Sequence, residues 1–157
     1  MSLKAVVTGG SQGIGSAISE RLIEAAYEVF ILDINRSRNA IQCDVSDEFA
    51  VADIAANIGP IDLLVNNAGI WKFGPLEDTT LSDFSRVLDV NLKGAFNTIK
   101  FFGSGMLETG HGSIVNIVSI AAKHPNPSVG SYGPSKAALV SLTEQVAVEW
   151  GPRGVRC

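Results

Sequence analysis

Cysteine is scarce in this chain: Cys43 and Cys157 are the only two among 157 residues. Two thiols so far apart do not make the disulfide framework typical of small secreted domains. We expect Cys43 to be a buried strand residue and Cys157 to have no special role, because unpaired cysteine behaves as a small hydrophobic residue. The first residues, MSLKAVVTGG, run directly into a strand-like segment, so no signal peptide is expected. These features favour a cytoplasmic location.

Charge and long apolar runs are also lacking. Charged residues make up 18% of the chain, its net charge is −4, and it has no basic patch. Nucleic acid is therefore not an expected partner, because a phosphate backbone is bound mainly by Lys and Arg. No apolar run approaches the roughly 20 residues of a membrane span, so no membrane partner is expected. His111 and His124 lie in polar stretches, and no cluster has metal-ligand spacing, so no metal site is expected.

Short apolar runs alternate with longer amphipathic segments. The short runs predict strands at residues 3–8, 29–32, 40–45, 61–65 and 113–118. Helical periodicity predicts helices at residues 14–26, 48–58, 81–107 and 135–150, the third of them broken near Asn91. This alternation is typical of α/β proteins, in which helices cover both faces of a parallel sheet. The length, without repeats or linkers, predicts one domain over residues 1–157.

Two segments fit this pattern poorly. Only residues 34–40 separate the second and third strands, whereas a parallel crossover normally takes about a dozen residues or more. Either the crossover is an extended loop without a helix, or the third strand is short. Residues 154–157 look like the opening of another strand, and the sequence stops there. The fifth strand is therefore predicted to be an unpaired edge, which favours association or poor solubility.

A glycine-rich turn, TGGSQGIG at residues 8–15, joins the first strand to the first helix. Gly9 permits a tight turn, Gly13 lets a pyrophosphate approach the backbone, and Gly15 lets helix and strand pack closely. The N-terminus of the helix offers N–H donors to phosphates. An ordinary flexible turn is the alternative interpretation. The strand before, the helix after and the acidic residue downstream favour a dinucleotide site.

That acidic residue is Asp33, at the end of the second strand. A carboxylate there can accept hydrogen bonds from the adenosine ribose and repels a 2′-phosphate, so NAD is favoured over NADP. Arg36 and Arg38 follow closely and can either swing toward a 2′-phosphate or remain solvated loop charges.

The segment YGPSK places Tyr132 and Lys136 four residues apart, on one face of a helix. Pro134 must lie in the first turn because it has no N–H, so Tyr132 is expected at the helix start, near the edge of the sheet where ligands bind. An ammonium group beside a phenol favours the phenolate, which makes Tyr132 a candidate general acid/base and Lys136 its electrostatic partner. A surface Tyr and a solvated Lys are the alternative.

Three polar segments complete the predicted site. Ser119 is placed at the end of the fifth strand, where it can stabilise charge on a substrate oxygen or merely cap a turn. Asn91 fits a helix break whose exposed carbonyl can hold a water, or is a tolerated polar residue. Residues 66–69, NNAG, can pack beside the adenosine and tie strands together. Asp44 can bond the adenine amino group or cap the next turn.

These motifs resemble, in order and spacing, those of the classical short-chain dehydrogenases/reductases. The resemblance covers essentially all 157 residues and implies a Rossmann-like, doubly wound parallel sheet and an NAD(P)-dependent oxidoreductase of alcohols and ketones. It implies a catalytic tetrad of Asn91, Ser119, Tyr132 and Lys136. The candidate cofactor-binding residues are Gly9, Ser11, Gln12, Gly13, Ile14, Gly15, Asp33, Asp44, Val45, Asn67, Ala68, Gly69, Tyr132 and Lys136.

The resemblance has departures. Members normally continue through further strands and a lid that selects the substrate, so we expect a C-terminal portion beyond Cys157 to be missing. Members are usually homodimers or homotetramers, paired through the helices that here contain Asn91 and the Tyr132/Lys136 pair. The substrate is expected to be a small alcohol or carbonyl compound that these motifs do not identify. A cofactor-binding module or partner subunit without turnover is the alternative, and a non-functional remnant is a third possibility.

Overall fold

A six-stranded parallel sheet forms the centre of the protein, whose computed structural model describes residues 2–157. In chain order the strands are β1 (Lys4–Thr8), β2 (Glu28–Asp33), β3 (Ala40–Gln42), β4 (Leu63–Asn66), β5 (Gly112–Asn116) and β6 (Val155–Arg156). Their order across the sheet is β3-β2-β1-β4-β5-β6, with every pair parallel. The predicted α/β class with a parallel sheet is confirmed.

Five α-helices connect these strands. They are α1 (Gly13–Glu24), α2 (Glu48–Ile58), α3 (Leu81–Leu88), α4 (Gly94–Thr109) and α5 (Tyr132–Trp150). A π-helical turn, Asp89–Lys93, joins α3 to α4, so the predicted break near Asn91 is confirmed. Short 3₁₀ turns occupy Leu76–Asp78, Ile120–Ala122 and Gly151–Arg153. Within the described residues, no helix combines the length and apolar character needed to cross a membrane.

The strand order reverses direction at β1, and this reversal positions the ligand site. The chain moves from β1 to β2 and β3 toward one edge, and then from β4 to β5 and β6 toward the other. Because such crossovers are right-handed, α1 lies on one face of the sheet and α2, α4 and α5 on the other. Ligands of doubly wound folds bind at the carboxyl ends of the strands beside such a switch point, here between β1 and β4.

The main hydrophobic core lies between the sheet and the layer of α2, α4 and α5. Strand residues Val6, Leu32 and Leu64 face it, and α4 contributes Phe102 and Met106. All five side chains are fully or almost fully buried. Removing a side chain of this size from water contributes about 1.5–3 kcal/mol to the free energy of folding. One layer of such side chains is therefore enough to hold each helix on the sheet.

The two poorly fitting segments are now explained. The β2–β3 crossover is a loop without a helix, and β3 is also short, ending at Gln42 rather than at residue 45. The predicted unpaired fifth strand is wrong, since Gly112 and Ser113 of β5 pair with Val155 and Arg156. Gly154, at φ 84°, turns the chain into β6. The sequence signal for a further strand was right, but its pairing with β5 was not foreseen.

Candidate active site

An open cleft with a volume of about 620 Å³ runs along the carboxyl ends of the strands. Segments that follow β1, β2, β3, β4 and β5 line it, together with the first turns of α5. Most of the predicted site residues lie on its wall: Gly9, Gln12, Gly13, Ile14, Asp33, Asp44, Val45, Asn67, Ala68, Gly69, Tyr132 and Lys136. Four predicted residues do not line it: Ser11, Gly15, Asn91 and Ser119.

The glycine-rich turn brings the N-terminus of α1 against the end of β1. Gly15 is needed for this approach, because a Cβ atom there would lie 2.3 Å from the carbonyl oxygen of Gly9. Gly13 has a φ of 55°, and a Cβ atom there would have no heavy atom within 4 Å. Since Gly13 lines the cleft, its missing side chain leaves open space where the backbone can be approached closely.

The NNAG segment is tied to this turn by hydrogen bonds. The Thr8 hydroxyl accepts the amides of Asn67 at 3.0 Å and Ala68 at 2.9 Å. The side-chain amide of Asn67 donates to the carbonyl oxygens of Thr8 and Gly9, both at 3.0 Å. The expectation that this segment ties neighbouring strands together is confirmed.

Asp33 lies at the end of β2, inside the cleft, and is 5% exposed. Its carboxylate accepts the Ser11 amide at 3.1 Å and the Asn35 amide at 2.9 Å. These contacts fix the carboxylate beside the glycine-rich turn and leave part of its acceptor capacity for a ligand. Arg36 and Arg38 are exposed, and neither lines the cleft.

Asp44 lies two residues beyond β3, not at the strand end as predicted. Its carboxylate accepts the Ser46 amide at 2.9 Å and hydroxyl at 2.6 Å, and it pairs with Arg86 at 2.9 Å. Burial opposes ionisation, but the hydrogen bonds from Ser46 and the guanidinium of Arg86 outweigh it and lower the pKa of Asp44. The turn-capping interpretation of Asp44 is confirmed.

The opposite end of the cleft contains Tyr132 and Lys136. Helix α5 begins at Tyr132, three residues before the predicted start, with Pro134 in its first turn. The Lys136 ammonium is 5.9 Å from the centre of the Tyr132 ring and donates to the Ile117 carbonyl at 2.7 Å. Lys136 is 3% exposed, and its burial lowers its pKa to about 8.

Asn91 lies directly behind this pair, on the π-helical turn. Its side-chain oxygen accepts the Ile70 amide at 2.8 Å, and its amide donates to the Ile70 carbonyl and to the Ser135 hydroxyl, both at 2.9 Å. Gly69 separates Asn91 from Lys136, because a Cβ atom there would lie 3.3 Å from Asn91 Oδ1 and 3.5 Å from Lys136 Nζ. The structure therefore brings Asn91, Tyr132 and Lys136 together.

Ser119 is placed differently from the prediction. Strand β5 ends at Asn116, so Ser119 follows it by three residues instead of ending it. The Ser119 hydroxyl accepts the Ala121 amide at 3.2 Å and caps the 3₁₀ turn that follows. This is the capping role that the sequence left open as an alternative. Val118 lines the cleft, but Ser119 does not.

The comparison with known proteins decides the family. Residues 4–157 match the family model for short chain dehydrogenase. This chain belongs to the short-chain dehydrogenase family. A relative, the D-threitol dehydrogenase of Mycolicibacterium smegmatis, is 36% identical over 171 residues, a span that covers 97% of this chain and 66% of the relative. The chain thus spans about two thirds of the length of that curated relative.

Solved structures of the family share the fold of this chain. An NAD⁺-bound xylitol dehydrogenase superposes with a TM-score of 0.91 and 34% identity, covering 98% of this chain and 67% of that one. A protein of Beutenbergia cavernae with NADP bound at low occupancy has a TM-score of 0.91 and 35% identity, covering 98% and 68%. The family binds a nicotinamide cofactor, and these two structures contain different forms of it.

Several residues at the cleft were not predicted. Arg86 and Trp71 line the cleft, and Ser135 supports it from behind. Nothing in the sequence pattern marks Arg86, which reaches Asp44 across 42 positions. Trp71 follows the NNAG motif by two positions, and Ser135 lies inside YGPSK, so both could have been found by extending those motifs along the chain.

Proposed function

We propose that this chain binds NAD in its cleft and interconverts an alcohol and a ketone by hydride transfer, with Tyr132 as the general acid/base. The observation that carries this proposal is the shared cleft. The glycine-rich turn and Asp33 line one end, and Tyr132 and Lys136 line the other. A dinucleotide has this two-ended form, with its adenosine and its reactive ring separated by a pyrophosphate.

The residues present fit this cofactor. Gly13 leaves an open approach to the backbone for the pyrophosphate, and the N-terminus of α1 offers N–H donors there. Asp33 would accept hydrogen bonds from the adenosine ribose, and Asp44 with Val45 would border the adenine. The remaining proposed contacts come from Gly9, Gln12, Ile14, Asn67, Ala68 and Gly69. Ser11 and Gly15 do not line the cleft, and we propose that they serve the cofactor by shaping the turn, Ser11 through its bond to Asp33 and Gly15 through close packing against Gly9. When bound, the nicotinamide ring supplies or accepts the hydride.

The proton transfer falls to Tyr132. Its phenolate oxygen would take the hydroxyl proton of a substrate alcohol as a hydride passes from the carbon that bears this hydroxyl to the oxidised cofactor, and the Tyr132 hydroxyl would return the proton during ketone reduction. A cationic Lys136 favours the phenolate form that accepts the proton. Asn91 would act as a positioning residue, since its side chain is committed to Ile70 and Ser135. Ser119 is proposed to bind the substrate oxygen once its capping bond to Ala121 is exchanged.

NAD is the proposed form of the cofactor because the wall beside the turn presents a buried carboxylate. Asp33 repels a 2′-phosphate, whereas the two arginines nearby, Arg36 and Arg38, lie outside the cleft lining. The substrate is proposed to be a small alcohol or carbonyl compound. The two polyol-named proteins compared above, acting on threitol and xylitol, support an alcohol as the reacting group.

Assembly as a homodimer or homotetramer is part of the proposal. The α3–α4 segment and α5 would form the contact. Each carries an exposed apolar residue, with Phe96 49% and Val148 75% exposed. Light scattering after size exclusion tests this, and a monomer at all concentrations contradicts it.

A cytoplasmic location is proposed because Cys43 and Cys157 are both unpaired. Fluorescence microscopy of a tagged chain checks the location, and an extracytoplasmic signal contradicts it.

The function is tested by calorimetric titration with NADH followed by turnover assays on a panel of secondary alcohols. Saturable binding at one site per chain, together with NAD⁺-dependent oxidation of at least one alcohol, is the expected result. Binding without any turnover would favour the alternative of a cofactor-binding module or partner subunit. Absence of binding would contradict the proposal as a whole.

A further inference from the structure

Trp71 and Phe73 form an aromatic corner next to Tyr132. The Trp71 ring meets the Tyr132 ring edge-on, with 6.4 Å between centroids and an interplanar angle of 83°. The Phe73 ring also meets the Trp71 ring edge-on, with 6.1 Å between centroids. Trp71 lines the cleft and is 63% exposed, so most of its ring surface is available at the catalytic end.

The backbone that carries Trp71 is anchored on both sides. Ile70, just before it, exchanges two hydrogen bonds with the side chain of Asn91. Gly74, three positions after it, donates to the Ser128 carbonyl at 2.9 Å and pairs with Val129 in a β-bridge. The backbone that carries Trp71 is therefore anchored beside Tyr132, and a pre-organised surface binds a ligand with a smaller loss of entropy.

Charge is distributed unevenly along the cleft. Asp33, Asp44 and Arg86 lie at the β2–β3 end, where Asp33 is the last residue of β2 and Asp44 lies two residues beyond β3. At the opposite end Lys136 is the one charged residue on the described wall, and its ammonium is bound to the Ile117 carbonyl. The surfaces that flank Tyr132 there are apolar, formed by Ile70, Trp71 and Val118. These apolar side chains of the described wall favour contact with an apolar group of a substrate.

We propose that Trp71 is a specificity-determining residue that selects neutral secondary alcohols and ketones bearing an aryl or similarly flat apolar group on the reacting carbon. The inference rests on the function proposed above and names its substrate class. The hydroxyl of the substrate lies at Tyr132, and its flat group packs on Trp71 in an offset or edge-on arrangement.

The test compares two alcohols that differ in the group on the reacting carbon, 1-phenylethanol and 2-propanol, with NAD⁺ as the oxidant. Trp71→Ala is expected to reduce the ratio of their kcat/KM values roughly three- to tenfold, as expected for the loss of one aromatic pair. Trp71→Phe should keep the ratio within about twofold of the original. Phe49→Ala, which removes an 83% exposed aromatic side chain from α2, serves as the matched control and should leave the ratio unchanged.

A binding measurement separates this inference from the proposed function. Saturation-transfer NMR with acetophenone and bound NAD⁺, a pair that cannot react, should show transfer to the phenyl protons in the wild type and a large loss in Trp71→Ala. If both alcohols are turned over but their ratio is the same in Trp71→Ala, the substrate class is wrong while the function stands. If xylitol is oxidised more efficiently than 1-phenylethanol and Trp71→Ala reduces both equally, the class is likewise overturned. If no alcohol is turned over and no transfer is seen, both proposals fail.

Discussion

The side-chain amide of Asn91 donates to the Ser135 hydroxyl over 2.9 Å, joining the π-helical turn to the first turn of α5. The Ser135 hydroxyl donates onward to the Tyr132 carbonyl oxygen at 2.7 Å. Both Asn91 and Ser135 are fully or almost fully buried. Asn91 therefore links three parts of the site: the helix break, the Ile70 backbone beside Trp71, and the turn that holds Tyr132. A π-helical turn often marks a functional position. Here it places the side-chain amide of Asn91 within hydrogen-bond distance of both the Ile70 carbonyl and the Ser135 hydroxyl.

Replacing Asn91 should therefore destabilise the whole fold. Asn91→Ala leaves the Ile70 amide and carbonyl without their partner and removes one bond from Ser135. We expect the free energy of unfolding in urea to fall by about 2–4 kcal/mol. Asn57→Ala, on the exposed side of α2, provides the matched control and should change it by less than about 0.5 kcal/mol. Equal effects of the two substitutions would show that the Asn91 bonds contribute nothing specific.

Substitutions at Gly13 and Gly59 distinguish the effect of backbone strain from the effect of blocking the cleft. Both have positive φ, 55° and 76°, and a Cβ atom at either would meet no heavy atom within 4 Å. Replacement by Ala should cost each about 1–3 kcal/mol of stability. Only Gly13 lines the cleft, so only Gly13→Ala should weaken NADH binding, by at least about tenfold, because its new methyl group occupies the approach to the turn. Calorimetry on both variants decides this, and an equal loss of binding in Gly59→Ala would refute a local steric cause.

Asp33 should control the choice of cofactor. Asp33→Asn keeps the size of the side chain and removes its charge, and with it both the repulsion of a 2′-phosphate and a strong acceptor for the ribose. We expect the ratio of the NADPH and NADH dissociation constants to shift toward NADPH by about tenfold or more. Asp53→Asn, an exposed carboxylate on α2, should leave the ratio unchanged. Tighter binding of NADPH than of NADH by the wild type would contradict the NAD assignment.

The buried Lys136 should give the stability a distinctive pH dependence. Its pKa in the folded protein is about 8, below the value of 10.5 for the unfolded chain. Between these values the unfolded chain binds more protons, so the folded state gains stability as the pH rises from about 8 toward 10. Measured against Lys136→Met, the gain should be on the order of 3 kcal/mol. Lys93→Met removes an exposed ammonium from the π-helical turn, and the stability difference between the wild type and this variant should not rise with pH. If the difference between the wild type and Lys136→Met is also independent of pH, the effect of burial on Lys136 is contradicted.

Much of the fold follows from local patterns. Helix α2 begins and ends where periodicity predicted, at Glu48 and Ile58, because Asp47 caps its first turn and Gly59 ends it. The glycine-rich turn and the Tyr132/Lys136 pair were also placed correctly, since each is a short motif whose geometry depends on neighbouring residues. What periodicity cannot supply is pairing between distant segments. Residues 154–157 were recognised as the opening of a strand, but the pairing of this strand, β6, with β5 was not predicted.

The candidate site was predictable to a similar extent. The sequence motifs identified most of the residues that line the cleft, but they did not predict the contacts between side chains of different motifs. Arg86 reaches Asp44 from another element, and Asn91 contacts Ser135 across 44 positions. The position of Ser119 was wrong by three residues because the apolar pattern continues through Ile117 and Val118 after the hydrogen-bonded strand has ended at Asn116. Such contacts depend on tertiary packing, which overrides local propensity.

The most direct test of the proposed function is the turnover of the Tyr132→Phe variant with NADH binding measured on the same preparation. The ring remains, so its contact with Trp71 and the support of α5 are preserved, and only the hydroxyl is lost. We expect the NADH dissociation constant to stay within about threefold, and kcat for the best alcohol of the panel to fall roughly 10²–10⁴-fold, the usual contribution of a general acid/base. Full activity in Tyr132→Phe would contradict the role assigned to Tyr132 and with it the mechanism proposed for this member of the short-chain dehydrogenase family.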